Sequence, residues 1–201
     1  PEDILMVGFN KQSMSNKYRG MTIAEAAELR GESPEEAIVN LIIEDGSKIQ
    51  CIYFSMSEEN VRKKIMLPWV SFDSDAGSYS DISKDFITHP RAFGSFARVL
   101  GKYVRDEKLI TMEEAIRRLT GFPANNLGIK NRGYLKPGYF ADVVVFDPEL
   151  IEDKATFEKP LQFAVGVEDV FVNGVQVLSE SEHTGEYPGR FVKGAGYSPS
   201  N

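Results

Sequence analysis

Asp75, His89 and Arg91 are the residues best suited to do chemistry. Pro68-Trp69-Val70-Ser71-Phe72 is an apolar run that stops abruptly in Asp73-Ser74-Asp75-Ala76, and Thr88-His89-Pro90-Arg91 then opens a helical pattern. A buried strand that delivers a carboxylate to a rim has this form. In barrel enzymes the chemistry sits at the carboxyl ends of the strands. A strand-end aspartate can take a proton from metal-bound water and return it to a leaving amine. Asp75 equally suits a loop aspartate that caps a backbone amide, and position alone does not choose between the two. Asp73 can point to the same side, and it reads as a solvated turn residue.

Arg91 sits at a helix start, where a cation gains nothing from the dipole. It either clamps a substrate carboxylate with both arms of its fork or pairs with Asp85 or Asp106. His89 can cap the helix, orient the loop or bind a metal, and orientation is the favoured reading. His183, in Glu182-His183-Thr184-Gly185, reads as structural. Cys51, inside an apolar run, reads as a small core residue. The aromatics Phe93, Phe96 and Tyr103 fall at helical spacing and read as core. No phosphate-binding loop and no Ser/His/Asp set is present.

The composition narrows the chemistry. Two histidines and one cysteine cannot by themselves build a His-rich metal centre. A net charge of −7 leaves no electrostatic footprint for nucleic acid or an anionic membrane. No apolar run approaches the ~20 residues of a membrane span, and no signal-peptide pattern is present. A single cysteine allows no internal disulfide, which fits a reducing, cytoplasmic setting.

The elements that must position these residues follow from pattern. Residues 4–7, 49–54 and 69–72 read as strands, and 10–20 as a polar loop. Thr22 with Glu25, and Ser33-Pro34 with Glu36, are capping boxes that start helices ending at Gly31 and Gly46. The second carries Ala37, Ile38, Leu41 and Ile42 on one face. Ser57 caps a helix over 58–66. A long helix follows over 90–105, another starts at Thr111, and 123–127 makes a further turn. The loop over 76–88 reads as an active-site loop. Strand–helix–helix–strand–helix–strand order implies parallel β/α units. Three strands do not close a sheet, so the expected fold is α/β, the C-terminal part of a (β/α)8 barrel over residues 1–132. Residues 133–201 turn to strands, with Asn173-Gly174 as a two-residue hairpin turn, and are expected to form part of a small β-sandwich. The chain starts almost at once with a strand, and it is expected to be part of a longer polypeptide.

Several tracts resemble the N-acyl-D-amino-acid deacylases of the metal-dependent amidohydrolase superfamily. They are Trp69-Val70-Ser71-Phe72-Asp73-Ser74-Asp75-Ala76 and the helix from His89-Pro90-Arg91-Ala92-Phe93-Gly94 to Arg105. Leu119-Thr120-Gly121-Phe122-Pro123-Ala124 and Ala141-Asp142-Val143-Val144-Val145-Phe146-Asp147 resemble that superfamily more widely. Val172-Asn173-Gly174 and Glu182-His183-Thr184-Gly185 are again similar to the deacylases. The resemblance implies a distorted (β/α)8 barrel with a β-sandwich built from both chain ends. It implies zinc-dependent hydrolysis of the amide of N-acyl-D-amino acids. It assigns Asp75 as general base and acid at the metal, and Arg91 as the holder of the substrate's α-carboxylate; His89, two residues before Arg91, is expected to share the substrate site. The family's remaining zinc ligands lie N-terminal to this chain, and Cys51 does not match its ligand cysteine. Asp73 stands where the family often has Gly or Cys.

The chain alone is therefore expected to be inactive, and a second chain carrying the N-terminal half is the expected partner. A cyclic-amide hydrolase of the dihydroorotase or hydantoinase type is the alternative within this chemistry. A non-catalytic interaction module is the alternative outside it.

Overall fold

The computed structural model describes residues 1–77, 88–194 and 196–197. Strand β1 (Ile4–Gly8) leads into helices α1 (Gln12–Tyr18), α2 (Ile23–Arg30) and α3 (Pro34–Asp45), and strand β2 (Gln50–Tyr53) follows. Both predicted capping boxes form. Thr22 N donates to Glu25 Oε2 at 2.7 Å while Glu25 N donates to Thr22 Oγ1 at 3.2 Å. Ser33 and Glu36 repeat the exchange at 3.0 and 3.3 Å. Gly31 and Gly46 close their helices in the left-handed region at φ 68 and 73.

Two expectations fail here for tertiary reasons. Residues 10–20 were expected to be a loop, yet α1 forms. Its cap comes from the far end of α3, where the fully buried Asp45 carboxylate accepts Asn10 N at 2.8 Å and Lys11 N at 2.9 Å. No local pattern can announce a cap from 34 residues away. The strands are also antiparallel, not parallel. Gly8 pairs with Gln50, so the three helices return the chain to the end of β1 that it left. A parallel neighbour would need a crossover to the other end.

Helix α4 (Glu58–Ile65) is capped by Ser57, whose Oγ accepts Asn60 N at 3.2 Å. The apolar run 69–72 is not a strand. Arginines of helix α6 (Met112–Leu119) hold it and the residue before it: Arg118 Nε reaches Val70 O at 2.5 Å, and Arg117 Nη2 reaches Pro68 O at 3.0 Å. The expected active-site loop lies largely outside the described residues, since 78–87 are not described.

Helix α5 (Arg91–Arg98) continues as a π-helix over Val99–Asp106, whose wider winding shows in Glu107 N donating to Lys102 O at 2.9 Å. Tyr103 is buried as expected, but Phe96 stays 49% exposed because it faces away from the core. On α3, Ala37 and Leu41 are fully buried, whereas Ile38 and Ile42 stay 37% and 43% exposed. After α6 and α7 (Gly121–Asn126), strands β3 (Val143–Phe146), β4 (Val167–Val172), β5 (Val175–Ser179) and β6 (Glu182–His183) form an antiparallel meander. Asn173 (φ 50) and Gly174 (φ 82) make the predicted β4–β5 turn. Among the described residues no helix is long and apolar enough to cross a membrane.

One hydrophobic core lies between β1, α1, α2 and α3 around Met6, Tyr18, Ile23, Ala26 and Leu41. A second joins the long helix to the meander through Ile151, with Leu100, Val104 and Ala115 on the helical side. Ile151 is gripped between two glycines. A Cβ on Gly101 would meet Ile151 O at 2.4 Å, and one on Gly166 would meet Ile151 N at 2.4 Å. Gly166 also has φ +83. Gly138 shares that φ but has nothing within 4 Å of a Cβ. Gly166→Ala is therefore expected to lose about 3 kcal/mol or more, from backbone strain plus overpacking. Gly138→Ala should lose only the strain, about 1 kcal/mol. Urea unfolding of the two variants checks this, and equal losses would refute the close approach at Ile151.

Candidate active site

His89, Pro90 and Arg91 turn the chain into α5. The Nδ1 of His89 accepts Arg91 N at 3.0 Å, so it satisfies one of the helix's unpaired first-turn amides. In its neutral form His89 then carries its proton on Nε2. Its ring stands edge-on to Phe157, 5.0 Å between centroids. Burial pushes the His89 pKa down, and the Arg91 charge adds to this against the opposing pull of Asp75. Of the roles open to His89, its contact with Arg91 N is the capping one.

Arg91 does not pair with Asp106, which is held by Arg105 at 2.7 Å, and Asp85 lies outside the described residues. Its Nη2 instead reaches Asp75 Oδ2 at 2.9 Å. Two residues singled out separately in the sequence are thus brought together. Both are open to solvent, with 43% of the Arg91 side chain and 82% of the Asp75 side chain exposed. An ion pair this exposed contributes roughly 0–1 kcal/mol and does not hold the fold. Asp75 adopts φ 46, a left-handed conformation uncommon for a residue with a Cβ. Asp73 is exposed, as expected.

A cleft of about 940 Å³ opens between β2, the start of α5 and residues 153–158. Its walls include Phe54, Met56, His89, Arg91, Arg98 and Phe157. Asp75 is not part of the wall and meets the cleft through Arg91. Sequence reasoning did not find Arg98, Asp153 or Phe157. Gly94 leaves room for the Asp153 side chain, whose Oδ2 takes Arg98 Nη1 at 3.0 Å. Arg98 is neutralised there, while the fork of Arg91 is turned towards an exposed carboxylate. Glu58, also at the cleft, accepts Lys102 Nζ at 2.6 Å and Tyr103 Oη at 2.8 Å. Burial works against its charge, but those two donors together hold its carboxyl below the usual range.

Cys51 is half-buried and burial pushes its thiol pKa up, which keeps it protonated and makes it a poor ligand. His183 turns its Nδ1 to Gly185 N at 2.9 Å and stacks near Tyr187, a structural role. Zinc takes roughly three protein ligands at a catalytic site. Among the described residues no group of three or more His, Cys, Asp or Glu side chains could hold a metal. The described residues do not by themselves fit zinc.

Residues 11–178 match the amidohydrolase family. The chain belongs to that family. This amidohydrolase chain is 39% identical to the D-aminoacylase of Alcaligenes xylosoxydans xylosoxydans over 173 residues, covering 86% of the chain and 34% of that relative. A crystal structure of D-aminoacylase aligns with a TM-score of 0.79 at 34% identity, covering 91% of this chain and 36% of the other. N-acyl-D-glutamate deacylase from Bordetella bronchiseptica, solved with zinc and a phosphonate mimic of the tetrahedral intermediate, aligns at 0.76 with 36% identity, covering 88% and 34%. Matches to dihydroorotases are partial; one from Lactobacillus acidophilus spans 45% of the chain and 20% of that protein at 34% identity. The fold is mixed α/β and matches the amidohydrolase structures. The chain spans about a third of the length of the curated relatives it matches.

Proposed function

We propose that this amidohydrolase chain is the C-terminal portion of an N-acyl-D-amino-acid deacylase that hydrolyses a linear amide. The observation that carries the reading is the Asp75–Arg91 contact at 2.9 Å. It sets a carboxylate able to move a proton beside a guanidinium able to hold another carboxylate. A substrate with an α-carboxylate engages the fork of Arg91 through paired charge-assisted hydrogen bonds. That contact releases Asp75 from its ion pair and leaves the scissile amide near it. Asp75 then takes the proton of the attacking water and delivers it to the leaving amine nitrogen. His89 fixes the turn from which Arg91 projects and walls the substrate site. Dihydroorotate also carries a free carboxylate, so the fork of Arg91 suits both types; the match to D-aminoacylase over 86% of the chain, against 45% for the dihydroorotase, favours the deacylase.

Residues 1–132 belong, on this reading, to the last units of a (β/α)8 barrel, and 133–201 to a β-sandwich portion. Zinc, when bound, acidifies the water and polarises the acyl carbonyl. Asp75 is the ligand this reading assigns among the described residues, and the others come from sequence outside the chain. Uncovered apolar side chains support a further polypeptide surface here, including Ile42 at 43%, Ile43 at 69% and Val144 at 56% exposure.

The test is hydrolysis by the complete polypeptide loaded with zinc. N-acetyl-D-amino acids are expected to be cleaved at least tenfold faster than their L-enantiomers, and dihydroorotate is expected to be inert. Turnover of the cyclic amide, or no turnover of either class by zinc-loaded protein, would refute the reading.

A further inference from the structure

We infer that Arg118 is a positioning residue that fixes the segment carrying Asp75. The inference rests on the deacylase reading for its catalytic meaning alone; the anchoring itself is independent of it.

The run 69–72 has the composition of a strand but pairs with no described strand, so its carbonyls need other donors. Arg118, on α6, supplies one to Val70 and a second to the end of α4. Its Nη1 donates to Ile65 O at 2.6 Å and its Nε to Val70 O at 2.5 Å. Its guanidinium carbon lies 4.4 Å from the centroid of the Phe72 ring. One side chain thus grips the segment at the end of α4, in its middle and at its last apolar residue. Asp75 follows Phe72 by three positions.

The choice of residue is informative. Arg118 is fully buried, and no carboxylate among the described residues pairs with it. Its Nη2 has no hydrogen-bond partner among them. Burial accordingly pushes its pKa down. A buried cation held by carbonyls alone is an expensive way to fill a core, and an apolar side chain of similar length fills space at lower cost. What an apolar side chain cannot do is bind the carbonyls of Ile65 and Val70, ten and five positions upstream of Asp75, while packing on the Phe72 ring. Arg117 adds only one exposed bond, to Pro68 O at 3.0 Å, and is itself paired with Glu114.

The experiment has two arms. The chain's single tryptophan, Trp69, lies inside the gripped segment and is 69% exposed. In the full 201-residue chain, Arg118→Lys and Arg118→Met are expected to raise acrylamide quenching of Trp69 and lower its anisotropy, while far-UV circular dichroism is unchanged. Arg117→Ala should do so far less. In the complete zinc-loaded polypeptide, Arg118→Met is expected to lower kcat roughly 10²-fold, the scale of a misplaced reacting group, with KM unchanged. Arg118→Lys keeps the charge but not the fork, so it should recover only part of the loss.

Unchanged Trp69 signals would overturn the anchoring. A loosened Trp69 with unchanged kcat would overturn the positioning role, as would loss of helical signal in both Arg118 variants. Retained turnover in Asp75→Asn would instead defeat the deacylase assignment and leave the Trp69 arm to decide the anchoring.

Discussion

Asp75→Asn in the complete hydrolase is expected to lower kcat by about 10²–10⁴-fold, the range for removing a positioned proton carrier, with little change in stability. The side chain is 82% exposed and its ion pair with Arg91 is solvent-screened, so the fold does not lean on it. Asparagine is the right replacement for a backbone reason. At φ 46 most side chains are strained, whereas asparagine tolerates the left-handed region about as well as aspartate. Asp75→Ala would mix lost chemistry with a backbone penalty of roughly 1–3 kcal/mol. Steady-state kinetics together with urea unfolding separates the two. A kcat within a few fold of the parent's, in folded protein, would remove Asp75 from the reaction.

Arg91→Met is expected to lower kcat/KM by about 10- to 150-fold, mostly through KM. This corresponds to roughly 1.5–3 kcal/mol for hydrogen bonds to a charged group. Arg91→Lys should recover little, because an ammonium cannot present two parallel donors to a carboxylate. The control is a substrate whose α-carboxylate is replaced by a carboxamide. Parent and Arg91→Met should hydrolyse it at similar rates. If the variant lost the same factor on both substrates, Arg91 would be shaping the site instead of reading the carboxylate. Because Arg91 N also bonds His89 through the backbone, the substitution leaves the turn into α5 in place.

What could be read from the sequence was what is local. Thr22 with Glu25, Ser33-Pro34 with Glu36, Ser57, and Asn173-Gly174 each carry their structure within a few residues, and all of them formed as expected. Errors arose where distant residues decide. The cap of α1 is Asp45, the strand-like run 69–72 is held by Arg118, and the direction of β2 follows from three intervening helices. Asp75, His89 and Arg91 were legible by type and spacing, but not that Asp75 and Arg91 would meet. The cleft partners Asp153 and Phe157 come from an irregular stretch with no periodicity to mark it. The tract around Ala141-Asp142 was visible as a motif, yet its reason is tertiary. Asp142 Oδ1 accepts Asn173 N at 2.8 Å while Arg132 joins Asp142 to the Asn173 side chain, tying the turn of the meander to the chain that precedes it.

The grip on Ile151 has a consequence for how the molecule comes apart. Secondary structure changes from helix to strand near residue 133, which invites a cut there. Yet Ile151 packs its backbone onto Gly101, and Arg105 Nη1 donates to Ile151 O at 2.7 Å. Severing the chain at that point would strip a dry surface from both pieces and expose Leu100, Val104 and Ala115 on one side and Ile151 on the other. The long helix and the meander are therefore expected to melt as one cooperative unit, with amide protons on either side of residue 133 sharing a single opening event in hydrogen exchange.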